Sequence, residues 1–315
     1  MTMDCKRRLV NAAAAGLALL GPLGASAELR ELTFQVATPA KKPPVIDGAL
    51  DDACWQTSPK HSNYYEYLVP NPRKVAHTKT DCRIVYDEKG VTVGICNWED
   101  QIDKLVQRVN RDHDGEIWRD DSGEIFFDPA AAGIGFYRFT VNSLGKCCMA
   151  WSLDLANADW NWTAPGVVCA AKVFADRWEV ELFVPWSVFH NRPAAGPGDI
   201  WTFNHSRFRF GALGWGKGFM SSAPGASGST RTKFGYLYFS DGTVPDAKKV
   251  ISILKSRLKE EWCIQIGEKT YRNGLDGVSE MNESVADYVD RLKREKAELE
   301  AHCTTNIMRL ASEPG

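Results

Sequence analysis

Residues 118–129 read WRDDSGEIFFDP, and this stretch decides the fold. Ile125 and Phe127 stand two positions apart, which predicts a short strand with one face in a core. One tryptophan and four carboxylates flank these apolar residues. A solvated acidic loop would explain the carboxylates. The alternative is a ligand rim, because a pyranose ring offers an apolar C–H face to an indole and hydroxyls to charged side chains.

Short apolar segments between Gly, Pro, Asn and Asp clusters predict an all-β fold before residue 243. These segments are Cys82–Tyr86, Val91–Asn97, Glu124–Phe127, Phe136–Asn142, Val167–Phe174, Trp178–Pro185, Trp201–Phe210 and Phe234–Phe239. Their recurrence is typical of an antiparallel β-sandwich. Between residues 178 and 184 apolar side chains alternate with Glu179 and Glu181, so we expect these two glutamates to face solvent.

The pattern becomes helical after residue 245. Val250, Ile251, Leu254 and Leu258 predict one helix, and a second is predicted from Ser284 to Leu310. Asn-Gly and Asp-Gly pairs predict loops and turns between them. We therefore divide the chain into a leader (1–27), a sandwich (28–242) and a C-terminal α-helical extension (243–315). We expect the sandwich to fold without the extension, and the extension to dock on it.

The first residues resemble a secretory signal. Lys6, Arg7 and Arg8 precede an Ala-rich apolar run, and Ala-Ser-Ala at residues 25–27 fits a cleavage site. We expect a secreted or periplasmic protein that begins near Glu28 and is not held in a membrane after cleavage. The 38 basic and 40 acidic residues form no basic stripe, so we expect no nucleic-acid partner.

Four further motifs accompany the opening stretch. They read PPVIDGALDDACW at 43–55, YRFTVNSLG at 137–145, WEVELFVPW at 178–186 and WTFNHSR at 201–207. In this order and spacing the chain resembles the family 9 carbohydrate-binding modules and their DOMON-like relatives over about residues 28–242. The resemblance implies a β-sandwich whose sugar slot lies between two tryptophans, with charged or amide side chains that hold sugar hydroxyls.

Five residues are assigned to that slot by the resemblance. Trp118 and Trp215 would form the walls, and Glu124, Arg138 and Asn142 would form the base. Arg138 and Asn142 share a strand face because four residues is an even step. The competing interpretations are that Trp118 is a hydrophobic plug and that Arg138 is in a salt bridge with Glu124. Trp151, Trp160 and Trp162 flank another loop and are candidates to extend the platform, whereas Trp55, Trp178, Trp186 and Trp201 are read as core.

The leading functional hypothesis is a secreted, non-catalytic protein that binds an oligosaccharide or polysaccharide and serves polysaccharide degradation. A glycosidase would need two carboxylates a fixed distance apart, and Asp120, Asp121 or Glu124 are candidates. A haem-binding redox module of the DOMON-like type would need axial ligands such as His205 and Met149. The oligomeric state is left open.

We expect no cofactor, although a structural calcium stays open. Asp112, Asp114, Asp120 and Asp121 offer the oxygen ligands that calcium prefers, but their spacing is not that of an EF-hand. A solvated acidic loop is the simpler interpretation. The chain has nine cysteines, one of them in the leader. Cys82 and Cys96 flank a predicted hairpin, either as a disulfide or as two buried thiols.

Overall fold

The computed structural model describes residues 30–66, 75–133, 135–153, 157–190, 192–214, 218–227, 230–266, 269–274, 276–281 and 283–312. The predicted leader and Trp215 lie outside these ranges. None of the described helices has both the length and the apolar character needed to span a membrane.

The described residues contain seventeen β-strands and four α-helices. The strands are β1 (Arg30–Leu32), β2 (Phe34–Pro39), β3 (Tyr65–Glu66), β4 (Thr80–Tyr86), β5 (Gly90–Trp98), β6 (Ser122–Asp128), β7 (Phe136–Asn142), β8 (Cys147–Ser152), β9 (Ala158–Asp159), β10 (Val168–Val173), β11 (Arg177–Pro185), β12 (Ile200–Phe208), β13 (Phe219–Ser221), β14 (Gly235–Phe239), β15 (Trp262–Ile266), β16 (Lys269–Gly274) and β17 (Gly277–Met281). The helices are α1 (Ala53–Thr57), α2 (Phe210–Leu213), α3 (Ala247–Arg257) and α4 (Val285–Ser312). All eight predicted strands and both predicted tail helices are confirmed.

Most strands of the described chain belong to one long, curled sheet. Its order is β10-β11-β5-β4-β2-β14-β12-β6-β7-β8-β9, with β13 attached to β12 and β3 to β13. The pairs of β2 with β4 and β14 are parallel, and the other pairs in this sheet are antiparallel. The sheet curls so that β4, β5 and β11 face β6, β7 and β12 across a shared core, which gives the predicted sandwich.

Side chains at alternate positions of facing strands fill that core from both sides. Ile125 and Phe127 enter it from β6, and Trp178, Val180 and Leu182 enter it from β11. Phe127 has the rings of Phe139, Phe189, Trp201 and Phe203 within 5.3–6.3 Å of its own ring centroid. The four tryptophans predicted to be core are confirmed, because each is at most 8% exposed. Edge-to-face aromatic contacts of this kind add to the hydrophobic gain from burial.

The prediction that Glu179 and Glu181 face solvent is wrong. They do project from the face of β11 opposite the core, but the turn before α1 covers them. Glu181 accepts hydrogen bonds from the amides of Asp47 and Gly48, each at 2.9 Å, and from the Trp55 indole at 2.8 Å. The Ile-Asp-Gly motif is thus held down by buried carboxylates of a distant strand, a contact that alternation alone cannot reveal.

The C-terminal extension docks on the sandwich through a second core. Val250 and Leu254 of α3 pack with Trp262 of β15 against Ile200 and Tyr236 on the outer face of the curled sheet. The predicted loops between the helices are wrong, because β15, β16 and β17 form an antiparallel meander there. β1 adds to this meander in parallel, with Arg30 opposite Trp262. Asn273-Gly274 ends β16 and Asp276-Gly277 leads into β17, so both pairs flank the turn between these two strands.

The strand register excludes a Cys82–Cys96 disulfide. Cys82 lies opposite Ile95, and Cys96 lies opposite Asp81. Adjacent residues of a strand point to opposite faces, so the two thiols lie on opposite sides of the sheet. Cys82 enters the main core, whereas Cys96 packs with Trp55 under the α1 turn. The alternative of two buried thiols is the one observed.

His205 is a buried base on the inner face of β12. Its side chain is fully covered, and its Nδ1 lies 2.7 Å from the Tyr64 hydroxyl in a hydrogen bond. Burial, with the neighbouring Arg207 guanidinium as a second cause, lowers the pKa of His205 to about 3. The folded protein therefore keeps this imidazole neutral at pH values where an unfolded chain would protonate it.

Removal of the extension should weaken the sandwich without abolishing its fold. A chain of residues 28–242 keeps the main core but exposes Leu32, Ile200 and Tyr236 and leaves β1 without β15. At about 1.5–3 kcal/mol for each buried side chain, exposure of three predicts a loss of about 4.5–9 kcal/mol in the free energy of unfolding. Urea denaturation measures it. A chain of residues 28–283, which lacks only α4, should lose less, and an unchanged midpoint for 28–242 would show that the second core contributes nothing.

Acid should destabilise the protein through His205. A histidine whose folded pKa is depressed stabilises the fold above its unfolded pKa of about 6.5, and this stabilisation is lost as the pH falls. Between about pH 7 and about pH 5 the wild type should lose about 2 kcal/mol more unfolding free energy than His205→Gln, which cannot titrate. Urea titrations at both pH values provide the comparison. Parallel pH profiles for the two proteins would contradict the assignment.

Candidate functional site

The outer face of β6 and β7 carries the polar residues that the core excludes. Because Ile125 and Phe139 point inward, the alternate residues Glu124, Phe126 and Arg138 point outward. This face is opposite to the one that packs against β11. Glu124 and Arg138 therefore lie on the same, outer face of the sheet.

Glu124 and Arg138 form a buried ion pair across the two strands. Arg138 Nη2 donates to Glu124 Oε1, and the residues are 8% and 4% exposed respectively. The salt bridge that the sequence left as an alternative is thus present. A guanidinium fixed by a carboxylate has a defined orientation. The pair is a preorganised polar group in an otherwise aromatic face.

Trp160 lies over the Arg138 guanidinium. The carbon of that guanidinium is 4.7 Å from the Trp160 ring centroid and 5.8 Å from that of Phe126. Trp160 follows β9 and is 43% exposed, so it presents aromatic surface to solvent beside the ion pair. By contrast, Trp151 and Trp162 pack against the main core. Of the three tryptophans proposed to extend the platform, Trp160 is the one that the structure brings next to Arg138.

Trp118 lies in a half-buried aromatic cluster near the start of β6. It belongs to the 3-10 turn Gly115–Arg119 and packs with Phe208, Phe210 and Phe219. Its ring centroid is 6.2 Å from that of Phe210. The Arg119 guanidinium lies 5.0 Å from the same indole ring. Part of the hydrophobic-plug interpretation is therefore correct, because this indole has apolar neighbours of its own.

The proposed partner of Trp118 lies outside the described residues. Trp215 follows closely after α2, and α2 carries the Phe210 ring that contacts Trp118. Gly214 ends α2 with a φ of 72°, a left-handed conformation that favours glycine.

Asn142 is occupied by internal hydrogen bonds. Its Nδ2 donates to the Val109 carbonyl at 2.8 Å and to Asp120 Oδ2 at 2.9 Å. Its Oδ1 accepts from the amides of Leu144 and Lys146 at 3.1 and 3.0 Å. The side chain is fully buried, so the expectation of direct sugar contact is corrected. Asn142 instead fastens the loop that carries Trp118 onto the end of β7.

The acidic loop residues accept hydrogen bonds from backbone amides. Asp112 accepts from the Cys147 amide, Asp114 from Glu116, Asp120 from Val109, and Asp121 from Val106 and Gly211, all at 2.7–3.0 Å. Burial raises the pKa of Asp121 to about 6. Across the described ranges, no three His, Cys, Asp or Glu side chains group as metal ligands. The same bonds occupy the two aspartates proposed for a glycosidase.

The interior of the sandwich gives no support to a haem site. Met149 and Met220 lie in the main core, where aromatic rings such as Phe127 and Trp201 pack against one another. His205 is bonded to Tyr64 and packs edge-on against its ring at 5.5 Å. The histidine and methionines are thus ordinary members of a filled core.

Comparison with known proteins identifies the family and the fold. Residues 46–203 match the family described as "Carbohydrate family 9 binding domain-like". The chain belongs to this family. Among solved structures, a putative carbohydrate-binding protein from Bacteroides uniformis ATCC 8492 superposes with a TM-score of 0.51 at 16% identity, covering 67% of this chain and all of the other. A family 9 module from Caldicellulosiruptor kristjanssonii in complex with cellotriose gives 0.48 at 14% identity, covering 68% and 99%. The first likeness shows a shared fold. A search of curated sequences finds no match.

Replacement of Asn142 should affect stability before binding. Asn142→Ala removes four hydrogen bonds and leaves Asp120 and the Val109 carbonyl short of a donor, so we expect a loss of about 2–4 kcal/mol in unfolding free energy. Urea denaturation measures the effect. Asn161→Ala, at an exposed position beside Trp160, is the matched control and should change little. A fully stable Asn142→Ala would mean that the network is not what holds this loop.

Proposed function

We propose that this chain is an exported, non-catalytic carbohydrate-binding protein that recognises a glycan, or the end of one, in the service of polysaccharide degradation. One observation carries the proposal. On the outer sheet face of a member of a carbohydrate-binding family, a buried Glu124–Arg138 pair lies under the exposed indole of Trp160. Such a combination matches the two surfaces of a sugar, one apolar and one hydroxylated.

The proposed slot uses Trp118 and Trp215 as walls and the Glu124–Arg138 pair as its polar base. Trp160 extends the aromatic surface on the Arg138 side. The pair supports binding because its orientation is already fixed, so less side-chain entropy is lost when hydroxyls replace water. The Trp118 cluster supports the position of that wall, since Phe208 and Phe219 back the indole. Asn142 acts indirectly, through the loop that it holds.

Export is part of the proposal and rests on the basic and Ala-rich leader with its Ala-Ser-Ala site. The role in polysaccharide degradation is proposed because carbohydrate-binding modules usually accompany hydrolases. We propose no cofactor for binding, because aromatic stacking and hydrogen bonds from Glu124 and Arg138 suffice. The non-catalytic assignment is supported by the three carboxylates considered for a glycosidase, because Asp120 and Asp121 accept from backbone amides and Glu124 is paired with Arg138.

A glycan array followed by calorimetry tests the slot. The array is applied to the full chain and includes oligosaccharides with free and with blocked chain ends, which separates end recognition from internal recognition. With the best ligand, Trp118→Ala and Trp160→Ala should each weaken binding about tenfold, which is the loss of about 1.4 kcal/mol of stacking. Trp98→Ala is the control, because Trp98 is half-buried on β5 in the opposite half of the sheet.

The polar base is tested by a double variant. Glu124→Gln with Arg138→Gln removes both charges at once, so neither is left buried without its partner. It should stay folded by circular dichroism and lose most of its sugar affinity. Affinity that survives in this variant and in both tryptophan variants would place the sugar elsewhere on the molecule, and absence of any array signal would remove the proposed function.

A further inference from the structure

The two ends of the curled sheet meet at the turn between β7 and β8. β10 lies at one end of the strand order, and β8 and β9 lie at the other, so these strands share no sheet hydrogen bonds. Curling nevertheless brings them together. A methyl group on Gly145 would come within 2.8 Å of the Ala171 backbone nitrogen. Because Gly145 has no Cβ, the chains can approach this closely, and its φ of 73° is a conformation that glycine adopts readily.

Two cysteines face each other across this junction. Cys147 of β8 is buried in the main core, and Cys169 of β10 is half-buried against the same core. The Cys169 thiol donates to the Gly145 carbonyl at 3.1 Å. Gly145 is two residues before Cys147, so the two thiols are brought to the same corner of the core, and the neighbouring Cys169 thiol, with burial as the second cause, raises the pKa of Cys147. The neighbouring Cys148 projects to the other face, where it packs with Val109 and Ile117.

We propose that Cys147 and Cys169 form a disulfide that joins the two ends of the sheet when the protein meets a low-molecular-weight disulfide oxidant. Both side chains belong to the same core cluster, and the Cys169 sulfur is hydrogen-bonded to the carbonyl of Gly145, two residues before Cys147, so we expect bond formation to require little backbone movement. Neither cysteine has a role in the proposed sugar slot. The inference therefore stands independently of the proposed function.

The chemistry is ordinary thiol–disulfide exchange. The more accessible Cys169 loses its proton to solvent, and its thiolate attacks one sulfur of the oxidant, which releases one small thiol and leaves a mixed disulfide on Cys169. The Cys147 thiolate then attacks the Cys169 sulfur and releases the second small thiol. One small-molecule disulfide is reduced to two thiols, and two protein thiols are oxidised to one disulfide. Because Cys147 is buried and its pKa is raised, it forms a thiolate less readily, so its attack is the slower step.

The cross-link would brace the strand on which the acidic loop rests. The Cys147 amide donates to Asp112, and its carbonyl accepts from the His113 amide at 2.9 Å. The next residue, Cys148, supports Ile117 beside Trp118. A disulfide at Cys147 thus ties the base of the Trp118 loop to the far end of the sheet. Such a constraint acts mainly on the unfolded chain, by shortening the loop that it can explore.

Peptide mapping of the full chain tests the proposal. The reduced protein is incubated with oxidised glutathione, free thiols are blocked in denaturant, and fragments are sequenced without reduction so that Cys147 and Cys148 are distinguished. We expect a Cys147–Cys169 linked peptide and a melting temperature a few degrees above that of the reduced protein. Cys169→Ser, at a half-buried site, should lose both the link and the rise.

Cys54→Ser is the matched control, because Cys54 is equally half-buried but packs under the α1 turn with Cys96. It should keep both the link and the temperature rise. Blocked, unlinked Cys147 and Cys169 after oxidation would overturn the proposal, as would stable glutathione adducts on Cys169 or a link from Cys169 to any other cysteine. A temperature rise that persists in Cys169→Ser would assign the stabilisation to a different bond.

Discussion

The two-residue period of β6 is the constraint on which the rest of the structure depends. Ile125 and Phe127 must face inward, because Phe127 is surrounded by aromatic rings from three other parts of the chain. Glu124 and Phe126 are then forced outward, and Arg138 of the paired strand follows them. A slip of one residue in β6 would turn Glu124 into the core and Phe127 out of it. The alternation along β6 therefore specifies both the core and the candidate sugar site.

Buried polar groups hold the irregular parts of the chain onto this sheet. Glu181 fixes the turn before α1, Asp120 and Asn142 fix the loop that carries Trp118, and the fully buried Arg207 donates to Glu99 at 3.1 Å. In each case a charged or amide side chain at a strand position satisfies groups of a loop that would otherwise be buried without partners. Loops held in this way can present aromatic side chains in a fixed position, which a binding surface requires.

The extension and the proposed disulfide address the same problem at different edges. An open sheet has unpaired edge groups and exposed apolar outer positions. The meander of β15–β17 pairs with β1, and α3 covers Ile200 and Tyr236 on the outer face. At the other junction β8 and β10 meet without hydrogen bonds between strands, and there the Cys169 sulfur lies 3.1 Å from the carbonyl of Gly145, two residues before Cys147. The proposed disulfide would add a covalent link at this place, where strand pairing supplies none.

The sequence by itself determined the strands, the two tail helices and the face to which Glu124 and Arg138 belong, because these depend on local period and on short motifs. It also indicated the family, which the match over residues 46–203 confirms. Only the tertiary structure decided the rest. Glu179 and Glu181 are buried because a turn more than a hundred residues away covers them, and Asn142 is saturated by a loop that folds back on it. Trp160 lies over Arg138 because β9 pairs with β8, which pairs with β7, and Cys169 comes close to the turn before Cys147 because the sheet curls. Periodicity records which face a residue occupies, but what covers that face is set by distant segments whose approach leaves no local pattern.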